Sequence, residues 1–110
     1  MKQYTTYCTP EQTRKALELG APIEYASINE IRLERYISVN NEEYALPTAE
    51  EMIVWLEGQD GIEDITVCKT GMWIWGKNHT LIDGGPNYSS RQESSLAAID
   101  AALNCLISKK

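Results

Sequence analysis

The chain has 110 residues, a formal charge of −6 and a hydrophobic fraction of 43%. That length holds one domain with a self-sufficient core, expected to span 1–110, and so large an apolar fraction excludes a disordered segment. No Lys or Arg falls between Tyr36 and Cys68, whereas Glu42, Glu43, Glu50, Glu51, Glu57, Asp60, Glu63 and Asp64 all do, half of the 16 acids, and a field of that sign disfavours direct nucleic-acid binding and docking on an anionic membrane.

The N-terminus carries no apolar run of signal-peptide length and no stretch is long enough to span a bilayer, so a cytoplasmic protein is expected. Cys8, Cys68 and Cys105 are odd in number and far apart, outside any Cys-x-x-Cys spacing. They imply neither a disulfide framework nor a zinc site, and reduced, partly buried thiols are expected.

Taken in chain order, the first element is a helix opened by Thr9-Pro10-Glu11-Gln12. A hydroxyl followed three residues later by Glu or Gln satisfies two orphan backbone donors reciprocally, and Pro at the first helical position loses nothing by lacking an N–H. The helix carries Leu17 and Leu19 and stops at Gly20, a residue suited to the left-handed cap.

Two readings compete from Ser27 to Val39. Ser27-Ile28-Asn29-Glu30 has the spacing of another helix cap, while Ile31, Leu33, Ile37 and Val39 alternate as in a strand. A strand over Arg35–Val39 is favoured, followed by a turn at Asn40-Asn41 and a return strand over Glu43–Leu46.

Thr48-Ala49-Glu50-Glu51 opens a helix with Met52, Ile53, Trp55 and Leu56 apolar and Gly58 after its end. Ile65 to Ile82 then reads as an antiparallel meander. A tight turn at Thr70-Gly71 places Cys68 opposite Trp73, Val67 opposite Ile74 and Thr66 opposite Trp75, and a second turn at Lys77-Asn78 brings Leu81 opposite Ile74. A three-residue turn at Lys69 to Gly71 would instead match Val67 with Trp73. Asp83 to Asn87 is expected as a loop. Ser90-Arg91-Gln92-Glu93 opens the last helix, with Leu96, Ile99, Leu103 and Leu106 on one stripe widened by alanines.

The expected fold is therefore α+β: a small, mainly antiparallel sheet packed by three helices, in the order helix, hairpin, helix, Trp-rich meander, helix. Both faces of the meander are apolar in this register, Ile65, Val67, Ile74 and Leu81 on one, Thr66, Cys68, Trp73, Trp75 and Ile82 on the other. A two-sided apolar sheet needs helices on both faces or an exposed aromatic surface. Burial of Trp73 and Trp75 in the core is the plainer reading, and a partner-binding patch anchored on the two tryptophans is the sharper one.

Motifs for chemistry are sparse. His79 is the only side chain that titrates near neutral pH unperturbed, with Asp83 four residues on, so any enzymatic or small-ligand site would centre on this pair. No metal-ligand spacing is completed by Asp60, Glu63 and Asp64, Gly84-Gly85 belongs to no phosphate-binding fingerprint, and no cofactor is expected. The acidic window also permits a negative surface offered to a basic partner, in the extreme a mimic of nucleic acid, against the plainer reading that these acids keep the chain soluble. A second copy of the chain capping the sheet edges is a further partner the sequence leaves open.

Tyr7-Cys8-Thr9-Pro10-Glu11-Gln12 with Ala16-Leu17-Glu18-Leu19-Gly20, then Tyr44-Ala45-Leu46-Pro47-Thr48-Ala49-Glu50-Glu51-Met52-Ile53-Val54-Trp55-Leu56, resembles a group of small uncharacterised proteins encoded by phages, prophages and mobile elements of gut Bacteroidetes. The likeness covers most of the chain except Ile23 to Glu43. It implies a cytosolic accessory protein acting on host machinery and assigns a role to no residue. The expected function is non-catalytic protein binding with Trp73 and Trp75 as anchors; the alternative is a small enzyme or ligand-binding domain at His79 and Asp83.

Overall fold

The computed structural model describes residues 5–109. Among these the order is α1 (Pro10–Glu18), α2 (Ile28–Arg32), β1 (Tyr36–Val39), β2 (Glu42–Ala45), α3 (Ala49–Glu57), β3 (Asp64–Val67), β4 (Gly71–Trp75), β5 (Leu81–Pro86) and α4 (Arg91–Ser108). The fold is α+β, with one two-stranded and one three-stranded antiparallel sheet.

The helix starts follow the hydroxyl signals. Thr9, Ser27 and Thr48 each accept from the backbone N–H three residues on, and Gln12, Glu30 and Glu51 reach back to the cap N–H, completing three capping boxes. Ser90 accepts from the Glu93 N–H at the start of α4. The expectation of three helices falls one short among the described residues, because Ser27 caps a real helix and the Arg35 strand follows it. α1 stops as expected, with Gly20 at φ +91° just beyond its last turn. Asn40 and Asn41, at φ 51° and 66°, make the two-residue turn between β1 and β2, whose positive φ values match the right-handed twist of the strands.

The three-stranded sheet departs from the expected register. Val67 pairs with Met72, Thr66 with Trp73, Ile65 with Ile74 and Asp64 with Trp75. Cys68 donates its N–H to the Gly71 carbonyl at 2.9 Å, so the turn is Lys69-Thr70, one residue earlier than Thr70-Gly71. Moving a two-residue turn by one position shifts the pairing by two, which preserves the faces. The second turn is longer than expected. A 3₁₀ turn at Lys77–His79, closed by the Gly76 N–H on the Thr80 carbonyl at 2.7 Å, replaces a tight turn at Lys77-Asn78. A register shift beside Ile74 and Trp75 then leaves Ile82 as the extra residue, and Leu81 pairs with Trp75 rather than Ile74. Asp83 to Pro86 is strand, not loop: Asp83, Gly84, Gly85 and Pro86 pair with Ile74, Trp73, Met72 and Gly71.

The core lies between this sheet and the helices. α4 packs across β3, β4 and β5, flanked by α3 and α1. Ala98, Ile99, Ala102 and Leu103 of α4 are buried with Met52 and Leu56 of α3 and Ile65, Met72 and Ile74 of the sheet. The alanines let α4 approach the strands closely. α1 contributes Gln12, Thr13 and Ala16 to the interior rather than Leu17 and Leu19, which are half-buried. The molecule is a plate with extents of 42, 40 and 17 Å, the thickness of one layer of helices on one layer of sheet.

Candidate functional site

The side of the three-stranded sheet away from α4 has three cross-strand rows. Leu81, Trp75 and Asp64 form one, Gly84, Trp73 and Thr66 the next, and Pro86, Gly71 and Cys68 the last. Asp64 and Thr66 are exposed, Leu81 is 50% exposed, and both tryptophans are half-buried. Neither tryptophan belongs to the core or to the side chains packed against it. The plainer sequence reading, Trp73 and Trp75 as core, is therefore corrected: strand alternation sends Met72 and Ile74 inward and the tryptophans outward, and the helices lie on the inner side.

Trp73 lies flat along this surface rather than standing away from it. A Cβ on Gly84 would come 2.7 Å from Trp73 Cδ1, and one on Gly71 would come 2.6 Å from its Cη2, so the indole spans both glycines. Glycine at these strand positions lets an aromatic ring cover the hydrogen-bonded backbone. Trp75 has an acid beside it, because Asp64 is its cross-strand partner. The Asp64 carboxylate accepts from the Thr66 hydroxyl at 3.2 Å. At the margin, Asp60 and Lys77 approach to 3.9 Å, both almost fully exposed. Such a pair is screened and contributes little to stability. Hence the surface presents two indoles and one aliphatic side chain, with Asp64 beside Trp75, the Asp60–Lys77 pair at one margin and the Arg91 charge near Cys68 at the other.

His79 and Asp83 lie on separate elements, the 3₁₀ turn and β5. His79 is exposed at the end of the 3₁₀ turn with φ 54°, after Asn78 at φ 59°. Asp83 is on β5, where its Oδ1 accepts the Gly84 N–H at 2.7 Å. No hydrogen bond or ion pair joins the two among the described residues, and neither of the two clefts described here is lined by either. One cleft lies at the acidic turn, lined by Gln59, Asp60, Gly61, Ile62, Glu63 and Lys77. The other, about 280 Å³, lies between the 21–24 segment, the end of β2 and the start of α3.

Two surfaces escaped sequence reasoning. The cleft beside α3 sets Met52 and Trp55, one turn apart on α3, against Ile23 and Leu46, which no periodicity joins to them. The second is apolar: Tyr25, Ile28, Ile31 and Leu33 are 66%, 71%, 40% and 60% exposed, and α2 buries no residue at all. Ile31 and Leu33 alternate with Ile37 and Val39 as in a strand, and only the Ser27 cap hinted at the short surface helix that carries Ile28 and Ile31 and ends at Leu33.

The thiols divide by environment. Cys8 is buried, and desolvation, reinforced by the Glu51 charge, pushes it up to about 12. Cys68 is held below the ordinary thiol value by hydrogen bonding to Thr70 and Gly71, with the Arg91 charge adding to the effect. No helix of the described residues is long and apolar enough to cross a membrane. No protein-family model matches the chain, and neither does any curated protein or solved structure compared with it.

Proposed function

We propose that this is a non-catalytic protein-binding domain that docks a basic partner on the open face of its three-stranded sheet, with Trp73 and Trp75 as anchors. An accessory role in a phage or mobile element, acting on a host protein, is the biological setting that suits such a domain. The observation that carries the reading is one-sided packing: the helices cover the Ile74 face of the sheet and leave the Trp73 face open in a plate 17 Å thick. Half-exposed tryptophans at the centre of a patch are the residues that most often dominate binding energy.

Charge selects the partner. Asp64 stands beside Trp75, Asp60 and Glu63 precede it on the same connection, and the chain as a whole carries −6. An arginine or lysine of a partner would meet an indole face and a carboxylate together, which adds cation–π attraction to charge pairing. Strand spacing of about 4.8 Å and a rise of about 3.4 Å per residue give the sheet face an area of about 200 Å². A stable interface buries about 800 Å² per partner, so the tryptophans form its centre and the flanking loops, among them the acidic connection before β3, its rim.

The test is affinity capture from the producing cell with three baits: wild type, Trp75→Ala and Leu81→Arg. Circular dichroism checks that all three are folded. Loss of one and the same basic protein from both variants, with salt-sensitive capture by wild type, supports the proposal; equal capture by all three baits sinks it.

A further inference from the structure

We infer that the cleft beside α3 is a site for the basic side chain, lysine or arginine, of a polypeptide partner, separate from the tryptophan face. Its walls are apolar, formed by Ile23, Leu46, Met52 and Trp55 with Pro22 and Pro47, and three carboxylates, Glu24, Glu30 and Glu51, complete the lining. No Lys, Arg or His lines it. Apolar walls together with carboxylates match an alkyl stem carrying a terminal cation, because such side chains bury their methylenes and keep the charged head among polar groups.

Two of the carboxylates are held in place by the helix caps. Glu30 Oε1 accepts the Ser27 N–H at 2.7 Å, and Glu51 Oε1 accepts both the Thr48 N–H at 3.1 Å and its hydroxyl at 2.8 Å. These bonds engage Oε1 of each acid. The caps therefore pre-order the charges, so that a cation would bind without the usual cost of fixing flexible acids. Hydrogen bonds from Ser27, with the Arg35 charge adding to them, hold Glu30 below the ordinary carboxylate value. Arg35 lies outside the lining: its guanidinium donates to the Tyr7 hydroxyl at 2.7 Å and lies 4.7 Å from the Tyr7 ring centroid, and its charge reaches Glu30.

Charge narrows the occupants. Three acids repel phosphate-bearing ligands, and an apolar side chain would desolvate those acids without pairing them.

The experiment is a ¹H–¹⁵N titration of the intact protein with Nα-acetyl-lysine N-methylamide, with the norleucine analogue and free 1,5-diaminopentane as comparison ligands. The lysine compound is expected to shift Ile23, Leu46, Met52 and the Trp55 indole saturably, with a Kd on the order of 1 mM. The norleucine compound is expected to bind at least about fivefold more weakly. Glu30→Gln and Glu51→Gln keep the capping pattern, since Gln serves at that position, and remove only the charge. Each is expected to weaken lysine binding about two- to fivefold, while Glu11→Gln, an exposed acid of α1 outside the lining, leaves it unchanged. Equal binding of norleucine, absence of saturable shifts at the cleft, or binding of diaminopentane without acetyl-lysine would each overturn the inference. None of these outcomes bears on the tryptophan face.

Discussion

Trp73 lies across Gly84, its cross-strand partner on β5, so closely that a methyl group on Gly84 would sit 2.7 Å from the indole and 2.6 Å from the Met72 carbonyl oxygen. Backbone cannot yield to that contact as a flexible side chain would. Gly84→Ala is expected to lower stability by about 2 kcal/mol in urea denaturation. Gly85→Ala is the control, since a Cβ there meets nothing within 4 Å, and its effect should stay within about 0.5 kcal/mol. Similar losses at both glycines would show that the indole does not rest on the strand.

Gln12 joins α1 to α4. Its Nε2 donates to the Leu96 carbonyl at 2.9 Å and to Asp100 Oδ1 at 3.1 Å, while its Oε1 accepts the Thr9 N–H at 3.0 Å, all at 2% exposure. Gln12→Leu fills the space and leaves these groups unpaired, at a cost of about 2–3 kcal/mol. A fall in Tm on the order of 10 °C is expected by differential scanning calorimetry. Arg14→Ala, one turn position away on the exposed side, should leave Tm almost unchanged.

The cysteines differ in reactivity. Iodoacetamide at neutral pH should label Cys68 first and leave Cys8 untouched until the chain unfolds, because the thiolate is the nucleophile. Cys8 also links stability to alkaline pH. Its folded value lies near 12 against an ordinary 9.0, so above pH 9 the unfolded chain releases a proton that the folded chain keeps. The stabilisation is fully present below pH 9 and is lost as pH rises toward 12. In Cys8→Ala this alkaline slope should flatten, as read from urea midpoints across that window.

The acid side follows the helix caps. Ser27 holds Glu30, and Ser89 holds Glu93, below the ordinary carboxylate value of 4.5. Their stabilisation is present above that value and is lost as pH falls through the lower folded values. Replacing both by Gln keeps the acceptor at each cap while removing the titration. The double variant should show a shallower loss of stability below pH 4.5 than wild type in acid titration followed by circular dichroism.

Local chemistry made much of the fold legible. Thr9, Thr48 and Ser90 start helices because an unpaired N–H needs an oxygen wherever a helix begins, and Asn40-Asn41 makes a hairpin because few other residues tolerate that backbone. The meander register was not legible. Lys69-Thr70 and Thr70-Gly71 are both plausible turns on local grounds, and the choice rests on the indole of Trp73 needing glycine beneath it at positions 71 and 84. The Asp83–Pro86 strand was hidden for the same reason, since Gly-Gly-Pro suggests a loop until its aromatic neighbour is placed. Of the site, the sequence indicated Trp73 and Trp75 but not their exposure, which depends on α3 and α4 packing against the opposite face. The cleft beside α3 was out of reach, because Ile23, Leu46 and Trp55 meet only after the chain has folded.

The most direct test is acrylamide quenching of Trp55→Phe, which leaves Trp73 and Trp75 as the only tryptophan reporters. An open aromatic face predicts strong quenching and red-shifted emission in the isolated protein, with quenching suppressed when the captured basic partner is added. Weak quenching with blue-shifted emission in the isolated protein would show that the face is already covered and would contradict the proposed docking surface.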